Sequence, residues 1–389
     1  MNTIVILGGA GNMSQTTIKD LITYSKDIKI IIADRNVAAA EKRVKELASD
    51  RVSARYVDLN NEKSIKAVIK NVDLVMNCAL SKYNIPVMKA ALSTNTHYMD
   101  LSALPQNTLE QMKLDEEFRK AKLLAIIGMG AAPGISNLMA KFAYDRLDKV
   151  ESVKFRIASI SMVESTLPIR FPYSAYALLG QIEYRTMIIE DGKLKEVDSL
   201  TGAEFTEFPD PIGTVETIYL SHPEPAMLSK TFMEKGLKFS DVKLYYTHPE
   251  FIEKLKFIRD LGFVNSKPTK VGDVEIIPRE VIAHFILQLP TENLEPNDIV
   301  CFVVRVLGER DGKRLEYVLR HTGLSRDGLS SLSVDTGIPI AIAAHMMFKE
   351  GFPKRGALTP EACIDPQPFF KELAKRNLYV SYHVNEFVS

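Results

Sequence analysis

The sequence has 389 residues, 46% of them hydrophobic and 25% charged, with 49 basic side chains against 49 acidic ones. That length exceeds what one core usually serves, so two domains are expected, and a net charge near zero argues against a broad electrostatic footprint for nucleic acid. No apolar run is read as a bilayer span, and the dispersed Cys78, Cys301 and Cys363 form neither a disulfide framework nor a metal pattern.

Residues 3–7 are a short apolar run rich in β-branched side chains. Gly8-Gly9-Ala10-Gly11-Asn12-Met13-Ser14 follows at once, and residues 15–24 are amphipathic. Strand, glycine-rich turn and helix let a backbone approach a pyrophosphate, with unpaired N–H groups and a positive dipole end facing it. The spacing is G-x-x-G-x-x-S rather than G-x-G-x-x-G, and a tight βα turn that binds nothing is the plain alternative. Asp34 tips the balance. It closes the apolar run at 28–33, 20 residues beyond Ser14, where a ribose-binding carboxylate belongs. Gly8, Gly9, Ala10, Gly11, Asn12 and Met13 are therefore expected against a dinucleotide. Asp34 favours NAD, by accepting from both ribose hydroxyls, whereas Arg35 beside it can pair with a 2′-phosphate and keeps NADP open. Asp58 either accepts from the adenine amino group or caps the helix that follows.

Further along, 53–57, 74–78, 98–101 and 123–127 read as strands, and 37–48, 62–69, 85–93 and 106–121 as helices. The alternation predicts a Rossmann-type α/β domain: a doubly wound parallel sheet with helices on both faces, right-handed crossovers, and ligand at the C-terminal strand ends. Gly128-Met129-Gly130-Ala131-Ala132-Pro133-Gly134 interrupts it, and a helix is expected at 135–147. Strands then read at 153–161, 215–220, 240–246, 300–307 and 316–321, with a hairpin turn at 309–313 and loops at Pro209-Asp210-Pro211 and His222-Pro223-Glu224-Pro225. This is a second, α+β domain with a mixed or antiparallel sheet. Residues 336–348 read as an apolar helix, too short to span a bilayer, that docks the C-terminal segment onto the first domain. The expected division is a dinucleotide-binding domain of 1–132 with 335–389, and a substrate and dimerisation domain of 133–334.

Widely spaced segments resemble the saccharopine dehydrogenase family. They are Val75-Met76-Asn77-Cys78-Ala79, Thr96-His97-Tyr98-Met99-Asp100-Leu101-Ser102, the turn ending in Pro133-Gly134 with Ile135-Ser136-Asn137, Thr336-Gly337-Ile338-Pro339, Arg355-Gly356 and Ile364-Asp365-Pro366. The resemblance implies an NAD(P)-dependent hydride transfer at a carbon bearing nitrogen. It implies a nucleotide domain completed by the C-terminal segment, with the substrate held between the two domains. It also puts Asn77, Cys78 and Ala79 in a nicotinamide-side loop and Pro133 and Gly134 at the domain junction. Within the family, Tyr83-Asn84, the Gly-Ala-Ala-Pro-Gly turn and residues 248–261 look nearest to lysine 6-dehydrogenase, which deaminates one amino acid. The longer glycine loop departs from that enzyme. Residues 162–229, which should shape the substrate pocket, match poorly, and a protein that binds NAD(P) without turnover is the rival from another class.

Such chemistry needs a group to manage the proton on nitrogen and cations to hold carboxylates. Asp100, at a strand end, is the first choice for the proton or ammonium contact. Lys82, Tyr83 and His97 are the runners-up, against the plain reading of each as a satisfied structural side chain. Arg170 in Leu167-Pro168-Ile169-Arg170-Phe171-Pro172-Tyr173 is the leading carboxylate clamp, ahead of Arg156 and Arg185, and Tyr173, His222 and Glu224, with Pro133 and Gly134 of the junction turn, are expected near the substrate. The seven histidines have no metal-ligand spacing, so no metal is expected. Neither a G-x-S-x-G elbow nor a P-loop occurs. The expected partner is a small amino-acid substrate, with no nucleic acid and no membrane. A homodimer follows from base rates, and a cytoplasmic setting from the thiols and an N-terminus that opens on a strand.

Overall fold

The computed structural model describes residues 1–101, 104–246, 249–290 and 294–388. The chain forms two compact units, Met1–Phe142 with Ser333–Tyr379, and Ala143–Leu332 with Val380–Ser389.

The first unit opens with β1 (Asn2–Leu7), α1 (Asn12–Tyr24), β2 (Ile28–Asp34), α2 (Val37–Leu47), β3 (Val52–Tyr56), α3 (Glu62–Ile69), β4 (Leu74–Asn77), α4 (Asn84–Ser93) and β5 (His97–Asp100). Then come α5 (Pro105–Met112), α6 (Asp115–Lys120), β6 (Leu124–Ile126) and α7 (Ile135–Tyr144). The strands are short and mostly apolar; β4 is buried throughout and β1 over Ile4–Leu7. Such strands suit a parallel sheet covered on both faces. The single helix expected over 106–121 is two. Asp115, Glu116 and Glu117 sit in the first turn of α6, where carboxylates meet the positive end of a new helix dipole.

The second unit contributes β7 (Lys149–Ser161), α8 (Ala175–Glu183), β8 (Thr186–Glu190), β9 (Lys193–Val197), β10 (Glu204–Glu207), β11 (Thr214–Tyr219), α9 (Glu224–Thr231) and β12 (Phe239–Tyr246). It continues with α10 (Pro249–Asp260), β13 (Thr269–Val271), β14 (Val274–Ile276), α11 (Pro278–Leu287), β15 (Asp298–Arg310) and β16 (Lys313–Leu324). His248, which opens the segment likened to lysine 6-dehydrogenase, lies outside the described residues, as does Ser102. The chain closes with α12 (Ser331–Lys349), β17 (Gly356–Leu358), α13 (Pro360–Cys363), α14 (Pro366–Ala374) and β18 (Val380–Glu386).

The first sheet has the order β17-β6-β5-β4-β1-β2-β3, all parallel. Strand order reverses between β1 and β4, so the turn after β1 stands at the switch point, where ligands of such sheets bind. The second sheet runs β10-β11-β12-β7-β15-β16-β18, with β8 and β9 joined through β12. It is mixed: β12 pairs β7 in parallel, and its other pairs are antiparallel. The Asp311-Gly312 turn joins β15 to β16 with φ of 50° and 76°, the positive pair that a tight hairpin requires.

Two boundaries differ from expectation. The segment 133–142 belongs to the first unit, because Gly130 and Gly134 tie it to the turn that leaves β6. The last residues do not: β18 pairs β16 from Leu315↔Glu386 to His321↔Val380, in the second sheet. Ser331–Lys349 is longer than the sequence pattern indicates. It is the one helix among the described residues long and apolar enough to cross a membrane, yet 72% of its apolar window is buried inside the fold, as in a core helix. It crosses α1 so closely that a Cβ on Gly337 would stand 2.6 Å from Thr16 Cβ. Thr17 Oγ1 also donates to Gly337 O at 3.0 Å.

Candidate active site

In the first sheet Ala33, Leu7, Asn77 and Asp100 lie in one row across β2, β1, β4 and β5. The residues just beyond that row form the C-terminal edge of the sheet at the switch point.

The glycine turn is shaped by contacts. Gly8 has φ +71°, and a Cβ there would lie 3.0 Å from Ala79 N. A Cβ on Gly9 would lie 2.7 Å from Ile32 Cγ2. Gly8 and Gly9 N–H donate to Ala33 O, and Gly11 N–H closes back on Gly8 O at 3.0 Å. Ser14, in the place of a third glycine, donates its hydroxyl to Gly8 O at 2.9 Å, so the longer turn is pinned to the helix that follows. Gly11 is the N-cap of α1 and supplies no side-chain cap, and the first turn holds no acidic residue. Backbone N–H groups and the positive dipole end there face outward, as an anion cradle requires. These features fit a dinucleotide pyrophosphate.

Asp34 ends β2 beside this turn. Its Oδ2 accepts from Ala10 N–H at 3.2 Å and its Oδ1 from Asn36 N–H at 2.9 Å, leaving lone pairs for ribose hydroxyls. Arg35 is exposed. Arg43 on α2 donates to Gly11 O at 2.9 Å. Burial pulls its guanidinium down from the usual value, and Glu46 and Asp34 oppose that. Asp58 is held in its own turn, accepting from Asn60 N–H at 3.0 Å. The cap of α3 is Asn61, which accepts from Ser64 N–H at 3.2 Å, so the capping alternative for Asp58 is set aside.

After β4, Asn77 Oδ1 accepts from Ala79 N–H at 3.2 Å and turns the chain past the glycine loop. The Cys78 thiol, beside Ser14, is pushed up to about 12, chiefly by desolvation. It is a neutral thiol rather than a nucleophile. Lys82 is exposed on the 3-10 turn Ser81–Tyr83, 5.2 Å from the Tyr83 ring centroid, and Tyr83 donates to Asn60 Oδ1 at 3.2 Å.

Asp100 is wholly buried. Its Oδ2 accepts from Tyr98 Oη at 2.7 Å and from Gln111 Nε2, and its Oδ1 accepts from Gly128 N–H at 2.8 Å. Gln111 Oε1 in turn accepts from Asn84 at 3.1 Å, and Asn84 from Asn77 at 2.7 Å. One buried network thus joins the Asn77 turn to the glycine-rich turn after β6. Asn84 and Gln111 were not expected there, since amides on amphipathic helices give no pattern of their own, and Tyr98 was read only as part of the strand that carries Asp100. Pro133 and Gly134 lie in that second turn. Pro133 O accepts from Gly130 N–H at 2.8 Å, and Gly134, at φ +129°, leaves no room for a side chain against Gly130 O.

His97 stands apart from this group. It opens β5, opposite Leu74 at the N-terminal edge of the sheet, and its Nδ1 accepts from Leu124 N–H at 2.9 Å. Desolvation, with Arg355 second, lowers its pKa. The sequence places a histidine before the strand, and parallel pairing carries it to the wrong end for the cradle.

The remaining candidates are in the second unit. Arg156 is 2% exposed and locked by Asp241 on both Nη atoms, at 2.7 and 3.1 Å, and by Glu204 at 2.9 Å. It is consumed as a structural cation. Arg185 is exposed and bonded to Asp198 at 2.9 Å. Arg170 Nη1 is buried and has no hydrogen-bond partner among the described residues, and the same holds for Arg156 Nε. His222 Nδ1 meets Glu224 Oε2 at 3.0 Å in a buried pair, with His222 in the loop that leads into α9 and Glu224 in its first turn. Tyr173 is hydrogen-bonded to Gln181.

Comparison with known proteins places this architecture. Residues 4–126 match the Saccharopine dehydrogenase NADP binding domain, and residues 130–378 match the Saccharopine dehydrogenase C-terminal domain. The chain belongs to the saccharopine dehydrogenase family. Its cofactor is accordingly NAD(P), and the family's members are oxidoreductases. The apo structure of the L-Glu-forming saccharopine dehydrogenase from Saccharomyces cerevisiae covers 99% of this chain and 100% of its own, with a TM-score of 0.73 and 19% identity. Among curated relatives, carboxynorspermidine synthase of Vibrio alginolyticus is 22% identical over 92% of this chain and 90% of its own. Carboxyaminopropylagmatine dehydrogenase of Synechocystis is 21% identical over 96% of each.

Proposed function

We propose that this saccharopine dehydrogenase family member acts on a C–N bond of an amino acid or amino-acid conjugate, interconverting a secondary amine and its imine. The observation that carries the reading is the row at the switch point. Asp34, the Gly8–Gly11 turn and Asn77–Ala79 stand in register on one sheet edge, with an open helix N-terminus between them. The relatives named for carboxynorspermidine and carboxyaminopropylagmatine favour a conjugate over a single amino acid.

NAD(P), when bound, supplies the hydride acceptor or donor. The chain's own residues do the rest. N–H groups at the start of α1 hold the pyrophosphate, and Asp34 accepts from the adenosine ribose. Asn77, Cys78 and Ala79 line the nicotinamide side, where the neutral Cys78 thiol keeps that wall apolar. Asp100 is a positioning residue. It fixes the Gly128 turn directly and the Asn77 turn through Gln111 and Asn84, and its accepted hydrogen bonds leave it poorly placed to shuttle a proton. Lys82, exposed just beyond Ala79, takes the proton-handling role.

Lys82→Met is expected to lower kcat about a hundredfold while NAD(P)H affinity stays within a factor of two in a fluorescence titration. Unchanged kcat removes Lys82 from the role. Ammonia measured in the same assay separates the two enzyme readings. A conjugate dehydrogenase turns over without releasing it, and a lysine 6-dehydrogenase type releases one equivalent.

A further inference from the structure

Besides Arg35, a second arginine stands at the adenosine end of the cradle, and it comes from α2 rather than from the end of β2. Helical side chains lean toward the N-terminus of their helix. Arg43, in the second half of α2, therefore reaches back to the start of α1. Its Nη1 donates to Gly11 O at 2.9 Å, the carbonyl of the residue that caps α1. Arg43 is half-buried, and Glu46 and Asp34 act on its charge. The guanidinium thus lies beside both the glycine turn and the carboxylate that faces the ribose.

The two arginines differ in what holds them. Arg35 is exposed, and ordering a free, rotamer-rich side chain on a ligand costs conformational entropy. Arg43 is already tethered. Its one bond to Gly11 O leaves the rest of the N–H fork available, and that planar fork matches phosphate oxygens in pairs. Asp34 is fixed by the N–H groups of Ala10 and Asn36, so it does not swing aside for a 2′-phosphate. A dianion beside a fixed carboxylate needs a cation to offset the repulsion. Lys42, one residue earlier on α2, does not supply it: its side chain is 80% exposed and stands 3.8 Å from Glu46.

We infer that Arg43 is the residue that reads the 2′ position of the adenosine ribose. It holds the 2′-phosphate of NADP(H) against the repulsion of Asp34, and the opposition of these two side chains sets the choice of cofactor. Arg35, expected from the sequence in that role, is secondary. Arg43 acts on the dinucleotide alone, so its role does not depend on the C–N chemistry proposed above.

The test is fluorescence titration of the full chain with NADPH and NADH. Adenosine 2′,5′-bisphosphate and 5′-AMP, which differ only in the 2′-phosphate, serve as competing probes. Arg43→Gln should weaken NADPH and the bisphosphate about tenfold or more, while NADH and 5′-AMP stay within about threefold. Lys42→Gln removes the same charge from the neighbouring position and should leave NADPH within about threefold. Arg43→Lys keeps the charge and should recover part of the loss. Added salt should weaken NADPH more than NADH in the wild type, and that difference should shrink in Arg43→Gln. Retained NADH affinity reports an intact cradle in each variant. Equal loss of NADPH and NADH in Arg43→Gln would assign Arg43 to the pyrophosphate or to the turn itself and overturn the inference. So would an unchanged NADPH affinity in that variant, a larger NADPH loss in Arg35→Gln, or a wild type that binds no NADPH.

Discussion

Asp34 and Asp100 end neighbouring layers of the same sheet edge, yet their surroundings give them different work. Asp34 is half-buried and holds two backbone N–H groups with lone pairs to spare. Its replacement by Ser should therefore shift cofactor choice: the ratio of KM for NADH to KM for NADPH should rise about tenfold or more, since a hydrogen bond to a charged group contributes about 1.5–3 kcal/mol. An unchanged ratio would remove Asp34 from the ribose. Asp100 is buried and answers Tyr98, Gln111 and Gly128. Asp100→Ala leaves those donors unanswered and should cost about 2–4 kcal/mol in denaturant unfolding. A loss below about 0.5 kcal/mol would mean the network is not structural. Both aspartates were legible in the sequence as strand-end carboxylates. What separated them was not, because the partners of Asp100 come from α4, α5 and the Gly128 turn, and spacing along the chain carries no sign of that meeting. His97 failed for a related reason. Its place within a motif was clear, but the end of the strand it occupies depends on the parallel register.

Elements were legible in proportion to their burial. The strands β1, β2 and β4 are apolar runs and the helices between them amphipathic, and all lay close to where periodicity puts them. Among the missed strands, β9, β13 and β18 are exposed along almost their whole length, so no alternation marks them; β8 was missed although mostly buried, and β17 is only three residues long. The assignment of α12 to the nucleotide unit was readable from its apolarity, but its contact was not. Gly337 lets α12 reach α1, with Met13 O 2.7 Å from where a Cβ would be. Gly337→Ala should displace the start of α1, costing about 1–3 kcal/mol of stability and weakening NAD(P)H binding several-fold in a fluorescence titration. Full affinity would show that α12 does not position the cradle. In the second sheet, the partly exposed Glu204 lies beside Lys243 and Arg156, which draw its pKa down to about 2 against desolvation. A lowered folded pKa gives stability that is present above the unfolded value of ~4.3 and is lost as pH falls toward 2. Unfolding measured from pH 6 to pH 2.5 should therefore lose stability with acid, and Glu204→Gln should flatten that slope. An identical slope in the variant would assign the acid sensitivity elsewhere.

At the scale of the whole molecule, the order of the motifs along the chain was more informative than any one of them. The glycine turn departs from the usual spacing; Asp34 made a dinucleotide fold readable, and the Asn77 and Gly128–Gly134 turns in their order made the family readable. The family match across residues 4–126 and 130–378 agrees with that order. Substrate identity was not readable, because residues 162–229 are distributed over α8, α9, short strands and the loop around Arg170, with no recurrent spacing of polar side chains. The central claim is hydride exchange between NAD(P) and a carbon bearing nitrogen. The most direct measurement is absorbance at 340 nm with purified protein, NAD⁺ or NADP⁺, and a panel of saccharopine, lysine and carboxylated polyamine conjugates. The account predicts reduced nicotinamide with at least one secondary-amine conjugate. Tight dinucleotide binding with no signal from any member of the panel would contradict it.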